Sequence, residues 1–252
     1  MREKVIMIDF HSHFLPGMDD GSSSVSESIN MLKALEKQNI DIAVATPHFY
    51  LDMDSVSSFL KRREDSHAKL SQAIKTENRS SETEKSLPEI VLGAEVEFFN
   101  DLHALDELES LCIANSNYIL IEMPFDKWTK RTYDGVHALI ARRGLIPIIA
   151  HLDRYIDIQK DFKRIEQLVE LNVIVQINSS FVNGLFTRRK AFSLFENGFA
   201  HLLGSDCHNM TTRPPTIGEA YDKIESRLGS DFVKKIDQTG RKILGDLQGK
   251  SK

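Results

Sequence analysis

The residues best equipped for chemistry in this sequence are histidines and carboxylates that follow short apolar runs. His11-Ser12-His13 closes the run VIMIDF. Alternate residues of an extended strand face the same side, so both imidazoles can reach one ion. Asp206-Cys207-His208 repeats that spacing after HLLGS near the other end of the chain. His48 follows Thr46-Pro47, and His151 closes LIPIIA. Glu95 and Glu122 each interrupt an apolar run that should be buried, where a carboxylate needs a counter-charge and a metal ion supplies one. Glu97 shares the face of Glu95 but lies further out. Asp19 and Asp20 sit in a glycine-flanked loop (Gly17, Gly21) that taken alone reads as turn chemistry. Each motif has an ordinary explanation by itself: surface histidines for the H-x-H, a hydrogen-bonded structural residue for His48. Their common position at strand ends is what points to a metal site.

Mixed imidazole and carboxylate ligands suit Zn, Mn or Fe, whereas a thiolate-rich set would mean structural zinc. His11, His13, Asp20, His48, Glu95, Glu122, His151, Asp206 and His208 are more than one ion takes. Two or three ions are implied, with Glu95 a good bridge. Three divalent ions facing the carboxylates of Asp20, Glu95, Glu122 and Asp206 leave a surplus of about two positive charges, which favours a dianionic phosphate. Arg154, just past His151, and Arg213, just past His208, can clamp phosphate oxygens bidentately. Without the cluster, either would read as a surface salt bridge. The chemistry expected is phosphoester hydrolysis, in which metal ions activate water and neutralise charge on the equatorial oxygens. A tyrosine leaves as a phenolate with a pKa of about 10, so a strong general acid is less necessary; His208 and a metal-bound water are the candidates. Phe125 and Trp128 could flank a phenyl ring, with core packing the expected use of Phe125. A rival pattern, Cys207-x5-Arg213, fits cysteine-dependent tyrosine phosphatases. No glycine lies between the two residues to form a phosphate cradle, and the match reads as coincidence.

These residues need strands that all end on one side. Apolar runs at 5–10, 41–46, 89–96, 117–123, 145–151, 173–178 and 201–206 are continuous rather than alternating, as in strands buried on both faces. Amphipathic stretches intervene: 25–37 behind a serine-rich start, 134–143 ending at Gly144, 187–197 ending at Asn197-Gly198, and 215–228 ending at Gly229. Strand–helix alternation predicts an α/β fold with a mostly parallel sheet, closed into a distorted seven-stranded (β/α)7 TIM-like barrel in a single domain spanning 1–252. Segment 76–88 reads as a polar surface loop, and the chain after about 230 as a last helix fraying into GKSK.

The net charge of −5 and pI near 6.0 argue against nucleic acid or an anionic membrane as main partner, since both need a concentrated basic face. Two distant cysteines, Cys112 and Cys207, argue against a disulfide framework and suit a reducing cytoplasm. The start MREKVIMIDFH is a poor signal-peptide core, and no window approaches the roughly 20 apolar residues of a membrane span, so a cytoplasmic location without direct membrane insertion is expected.

The segments MIDFHSHFLPGMDDGSSSVSES, ATPH, GAEVEF, LIEMPF, IIAH and GSDCHNMTTRPP resemble the PHP (polymerase and histidinol phosphatase) superfamily. Within it they are most similar to the manganese-dependent protein-tyrosine phosphatases of bacterial capsule and exopolysaccharide operons, the CpsB/YwqE type, from about residue 7 to 218. The resemblance implies the PHP fold, a distorted seven-stranded barrel, with three metal ions, Mn first and Fe, Zn or Co as substitutes. It implies His11, His13, Glu95 and Asp206 around the first ion, Glu95, Glu122 and His151 around the second, and Asp20, His48 and His208 around the third. Arg154 and Arg213 match the family's phosphate-binding arginines. The implied substrate is phosphotyrosine on a membrane-associated tyrosine kinase that governs polysaccharide chain length. Two departures stand out: Leu152-Asp153 precede Arg154 where the family usually has Pro-Glu, and Cys207 sits where a small residue is common. The alternatives are a PHP phosphoesterase for a small metabolite such as histidinol phosphate, and a binding domain without turnover, whose depleted ligand set this chain lacks.

Overall fold

In the computed structural model, which describes residues 5–78 and 86–245, the apolar runs become short parallel strands. These are β1 (Ile8–Ser12), β2 (Ile42–Ala45), β3 (His48–Phe49), β4 (Glu89–Leu92), β5 (Glu95–Glu97), β6 (Tyr118–Glu122), β7 (Ile146–Ile149), β8 (Ile174–Asn178) and β9 (Leu202–Gly204). They form a three-stranded sheet ordered β1-β2-β4 and a six-stranded sheet ordered β3-β5-β6-β7-β8-β9. Every pairing in both is parallel. The larger sheet curls until its last strand meets β1: Ser12 bridges Cys207, His13 N–H donates to Cys207 O (2.9 Å) and Asp206 N–H donates to His11 O (2.7 Å). The fold is α/β with a curled parallel sheet.

One run read as a single strand is split, and another is followed by a short strand outside the run. The run 41–46 ends as β2, and β3 starts only after Thr46-Pro47, where proline has no N–H for a ladder. The run 89–96 is interrupted at Gly93-Ala94, and the breaks are in step: Gly93 N–H donates to Ala45 O (2.9 Å) and Glu95 N–H to Pro47 O (3.0 Å). The first strand is displaced along its run, so that His11 lies within β1 rather than beyond it.

Helix α1 (Val25–Lys37) matches its amphipathic stretch; the Ser24 side chain accepts from Glu27 N–H, and Met31, Leu32 and Leu35 are buried. Helix α2 (Val56–Asn78) was not foreseen, because its buried apolar residues Val56, Phe59 and Leu70 are sparse on a charged background. Its last turn corrects the reading of 76–88 as loop: 76–78 are helical, while 79–85 lie outside the described residues. Then follow α3 (Lys130–Arg143), α4 (Ile156–Gln159), α5 (Lys163–Val169), α6 (Ser179–Asn183), α7 (Arg188–Glu196), α8 (Ile217–Leu228) and α9 (Ser230–Leu244). Helix α3 begins four residues before the stretch at 134 and ends on Gly144 in the left-handed region (φ 65°), as a C-cap glycine should. The tail GKSK lies outside the described residues. None of the described helices is long and apolar enough to cross a membrane.

A large apolar core lies around Phe14, Met31, Ile121, Ile149, Leu203 and Tyr221. A smaller cluster of Phe10, Val44, Leu120, Ile148 and Leu202 packs with Ile243 and Leu244 of α9. Gly240 lets α9 approach this closely, since a Cβ there would lie 2.8 Å from Ile8 and 2.9 Å from Phe10. Two residues along a strand restores the same face, so the strand that buries Leu120 presents Glu122 further on. Apolar packing at one end of the strands thereby fixes where the polar side chains at the other end must meet.

Candidate metal centre

The tautomers of the two histidines on and beyond β1 follow from their partners. Gln176 Oε1 takes the backbone N–H of His151 (2.7 Å), which identifies it as the amide oxygen; it also lies 3.2 Å from His11 Nδ1. His11 Nδ1 therefore carries hydrogen, and its Nε2 is a lone pair. His13 Nδ1 lies 2.7 Å from Asp19 Oδ2, leaving its Nε2 as the second lone pair. The two Nε2 atoms are 3.1 Å apart. As neutral ligands, two such acceptors would repel at that distance, and a cation shared between them would remove the repulsion.

Glu95, buried at 1% exposure, points at the same place. Its Oε2 is 3.0 Å from His11 Nε2, 3.3 Å from His13 Nε2 and 3.1 Å from His48 Nδ1. Despite that proximity neither Glu95 Oε2 nor His48 Nδ1 has a hydrogen-bond partner of proper geometry, and His208 Nε2 is likewise buried without one. Buried polar atoms are rarely left this way. Convergent acceptors that miss one another's hydrogens are what a metal's ligand set looks like, so the donor set fits divalent ions.

Among the described residues, three groups have ligand atoms within 4.8 Å of one another: His11, His13 and Glu95; His13, Asp20, His48 and His208; and His48, Glu95 and Glu122. His151 stands beside the third, its Nε2 2.8 Å from Glu95 Oε1 and 3.4 Å from Glu122 Oε1. Asp206 Oδ1 lies 3.7 Å from His11 Nε2 and 3.6 Å from His13 Nε2. Its carboxylate is held by both Arg154 and Arg213, and by Asn178 Nδ2 (3.0 Å). The nine residues singled out as ligands and both arginines thus come to one place. Sharing differs from the implied sets, because His13 and His48 each fall in two groups.

The electrostatics express a shortage of positive charge. Burial alone would raise the Glu95 carboxyl, yet the imidazoles of His11, His13 and His151 crowded around it hold it well below its ordinary range. Burial also opposes protonation of His13 and His151, but Asp19 and Glu95 lift His13 to about 10, and Glu122 and Glu95 lift His151 to about 9. His208 is pulled down to about 4 by burial and by repulsion from His13 and Arg213. A cluster that draws protons onto some imidazoles and strips them from others is one whose protons a divalent cation can displace.

Several contributors escaped the sequence reading. Asp19, read as turn chemistry, does accept Gly21 N–H (2.9 Å), but its other oxygen holds both His13 and the backbone N–H of His48. Gln176 interrupts the apolar run VIVQIN just as Glu95 interrupts its own, and that signal could have flagged it. Tyr50 stacks on His48 (5.1 Å between rings) with its hydroxyl 3.5 Å from Glu122 Oε2. The expected use of Phe125 in the core is corrected: Trp128 is the fully buried ring, whereas Phe125 is half exposed and stacked 6.1 Å from His151. Of the two departures, Asp153 Oδ1 accepts Asn178 N–H (2.8 Å), and Arg154 still reaches Asp206. Cys207 is buried and its thiol is pushed up by burial and by Asp9, the reverse of what a nucleophilic cysteine needs.

Fold and site together define an α/β protein with a multinuclear candidate metal centre at the carboxyl ends of its strands. Residues 7–244 match the family model described as capsular polysaccharide synthesis, CpsB/CapC, and the chain belongs to that family. It is 31% identical over 242 residues to the tyrosine-protein phosphatase YwqE of Bacillus subtilis, covering 94% of this chain and 91% of that one. It is 29% identical over 256 residues to the tyrosine-protein phosphatase CpsB of Streptococcus pneumoniae, covering 95% and 99%. A solved structure, from work on YwqE of Bacillus subtilis and CpsB of Streptococcus pneumoniae as unique metal-dependent tyrosine phosphatases, superposes with a TM-score of 0.80 at 30% identity over 94% of each chain.

Proposed function

We propose that this chain is a metal-dependent protein-tyrosine phosphatase acting on the tyrosine kinase that controls capsular or exopolysaccharide synthesis. The observation that carries the proposal is the convergence of His11 Nε2, His13 Nε2 and Glu95 Oε2 beside a carboxylate, Asp206, held by two arginines. The relatives' activity supports the same reading.

In this reading His11, His13, Glu95 and Asp206 hold one ion, Glu95, Glu122 and His151 a second, and Asp20, His48 and His208 a third, with manganese the resident metal. Bound ions supply an activated water and positive charge opposite the phosphate. Gln176 and Asp19 keep the ligand nitrogens of His11 and His13 deprotonated and aimed. Arg154 and Arg213, now on Asp206, are free to turn their guanidinium edges to phosphate oxygens once Asp206 faces a cation. His208 Nδ1 donates to the Asp206 carbonyl (3.0 Å), which presents Nε2 as a lone pair and suits a ligand better than a proton donor. Phe125, open to solvent beside His151, is placed to lie against the phenyl ring of the substrate.

We read β2 with β3 and β4 with β5 as interrupted staves of a distorted seven-staved barrel, in a single domain over 1–252. The buried free cysteines, Cys112 and Cys207, suit a cytoplasmic location. The test is hydrolysis of a phosphotyrosine peptide and of histidinol phosphate after chelator treatment and manganese add-back. Manganese-restored activity confined to the peptide supports the proposal. Preference for histidinol phosphate, or activity indifferent to metal removal, contradicts it.

A further inference from the structure

Phe186 is 98% exposed and its neighbour Leu185 is 73% exposed, yet both sit on an ordered loop. The loop, between α6 and α7, is tied down by Gly184 N–H to Ser180 O (2.9 Å), Arg188 N–H to Gly184 O (3.0 Å) and Thr187 Oγ1 to Phe181 O (2.6 Å). Asn183 Nδ2 fastens its base to Thr216 O (2.8 Å), and Lys223 Nζ reaches Asn183 O (3.1 Å). A loop held this firmly shows two large apolar side chains to water by construction, and such exposure marks an interaction surface. It follows α6, which leaves the carboxyl end of β8, whose last residue, Asn178, holds Asp206. Met53 and Phe125, also exposed, lie on loops leaving β3 and β6 at that same rim.

The charges beside the pair are equally unusual. Arg188, Arg189 and Lys190 open α7, at the positive end of its dipole, where cations oppose helix formation. Lys190 reaches Asp157 (3.4 Å), while Arg188 and Arg189 have no ion-pair partner among the described residues. Bare apolar side chains and cations at the wrong helix end are two separate costs, and one anionic, partly apolar partner relieves both.

We propose that Leu185 and Phe186, with Arg188 and Arg189, form a docking site for an acidic, apolar segment of the phosphotyrosine polypeptide, engaged while its phosphotyrosine occupies the metal centre. The proposal rests on the phosphatase reading above, and it extends the substrate from a phosphorylated residue to the chain that carries it.

The test compares wild type with Leu185→Ser/Phe186→Ser and Arg188→Glu/Arg189→Glu on two substrates: tyrosine-phosphorylated poly(Glu,Tyr), a long acidic polymer, and p-nitrophenyl phosphate. These side chains are exposed, and unchanged constants on p-nitrophenyl phosphate certify that each variant is folded and loaded. The polymer KM should rise about tenfold or more in each, with kcat unchanged, which is the loss expected when one fully buried Leu or Phe contact goes. Added salt should weaken wild-type binding of the polymer towards that of the arginine variant. Polymer constants equal to wild type in both variants overturn the docking site and leave the phosphatase reading intact. So does loss of co-sedimentation with phosphatidylglycerol vesicles, or of self-association, in the Leu185/Phe186 variant with its polymer KM unchanged. Failure of wild type to hydrolyse either substrate overturns the phosphatase reading and the docking site with it.

Discussion

Replacing Gln176 with Met should damage the metal centre without touching a ligand. Its Oε1 accepts from His11 Nδ1 (3.2 Å) and His151 N–H (2.7 Å), and its Nε2 donates to Asn178 Oδ1 (3.0 Å), which in turn positions Asp206. Methionine has nearly the same length and none of these hydrogen bonds. Leaving the buried His151 N–H unpaired costs about 1–3 kcal/mol, and the two further neutral bonds contribute about 0.5–1.5 kcal/mol each, so urea unfolding of the metal-free protein should show a loss of roughly 2–6 kcal/mol. Freeing His11 to adopt the other tautomer should weaken metal binding about 10–100-fold, the usual effect of losing a ligand's hydrogen-bond partner. That corresponds to about 1.4–2.8 kcal/mol in a calorimetric manganese titration. Gln176→Glu keeps an acceptor for both partners and should bind metal more nearly as wild type does. A Gln176→Met protein that loses stability as described but binds manganese with wild-type affinity would refute the claim that this amide sets the His11 tautomer.

Gly204→Ala should be destabilised by about 1–3 kcal/mol in urea, the usual range for overpacking, because its Cβ would lie 2.5 Å from His11 Cβ and 2.7 Å from Gln176 Nε2; a wild-type midpoint would contradict the packing. Cys207→Ser should keep full phosphatase activity while His208→Ala loses most of it, and the opposite outcome in a phosphotyrosine assay would revive the cysteine mechanism. Burial holds the His201 imidazole below its ordinary value while Nδ1 accepts Val175 N–H (3.1 Å). The unfolded chain then binds the proton more readily, so the His201 contribution is complete above about pH 6.5 and is lost as pH falls below it. His201→Gln, which retains an acceptor, should flatten the decline of the urea midpoint between about pH 7 and pH 5; an unchanged slope would contradict the assignment.

The ligands were legible in the sequence because burial makes a charged or titratable side chain in an apolar run conspicuous. Glu95 could be singled out for that reason, and so could the alternate spacing of His11 and His13. Helix ends at Gly144 and Gly229 were legible because a left-handed residue has few occupants other than glycine. What lay hidden was decided by contacts between distant segments. Asp19 looks like a turn residue until the fold brings the backbone of His48 to its carboxylate across 29 positions. Gln176 reaches His11 across 165 positions, and no local pattern announces that pairing. The break at Gly93 was hidden because a glycine inside an apolar run reads locally as compatible with a continuing strand, and β3 was hidden because two residues after Pro47 make no apolar run. Helix α2 was missed because a long charged helix needs few core contacts, and three buried apolar positions in its 23 residues make a weak period.

The most direct test of the central claim is anomalous diffraction from crystals of manganese-loaded protein, measured on both sides of the manganese absorption edge. Anomalous peaks should lie between His11 Nε2, His13 Nε2 and Glu95 Oε2 and in the adjoining groups around Asp20, His48 and His208 and around Glu95, Glu122 and His151. Crystals that hold active enzyme with no anomalous density among these side chains would contradict it.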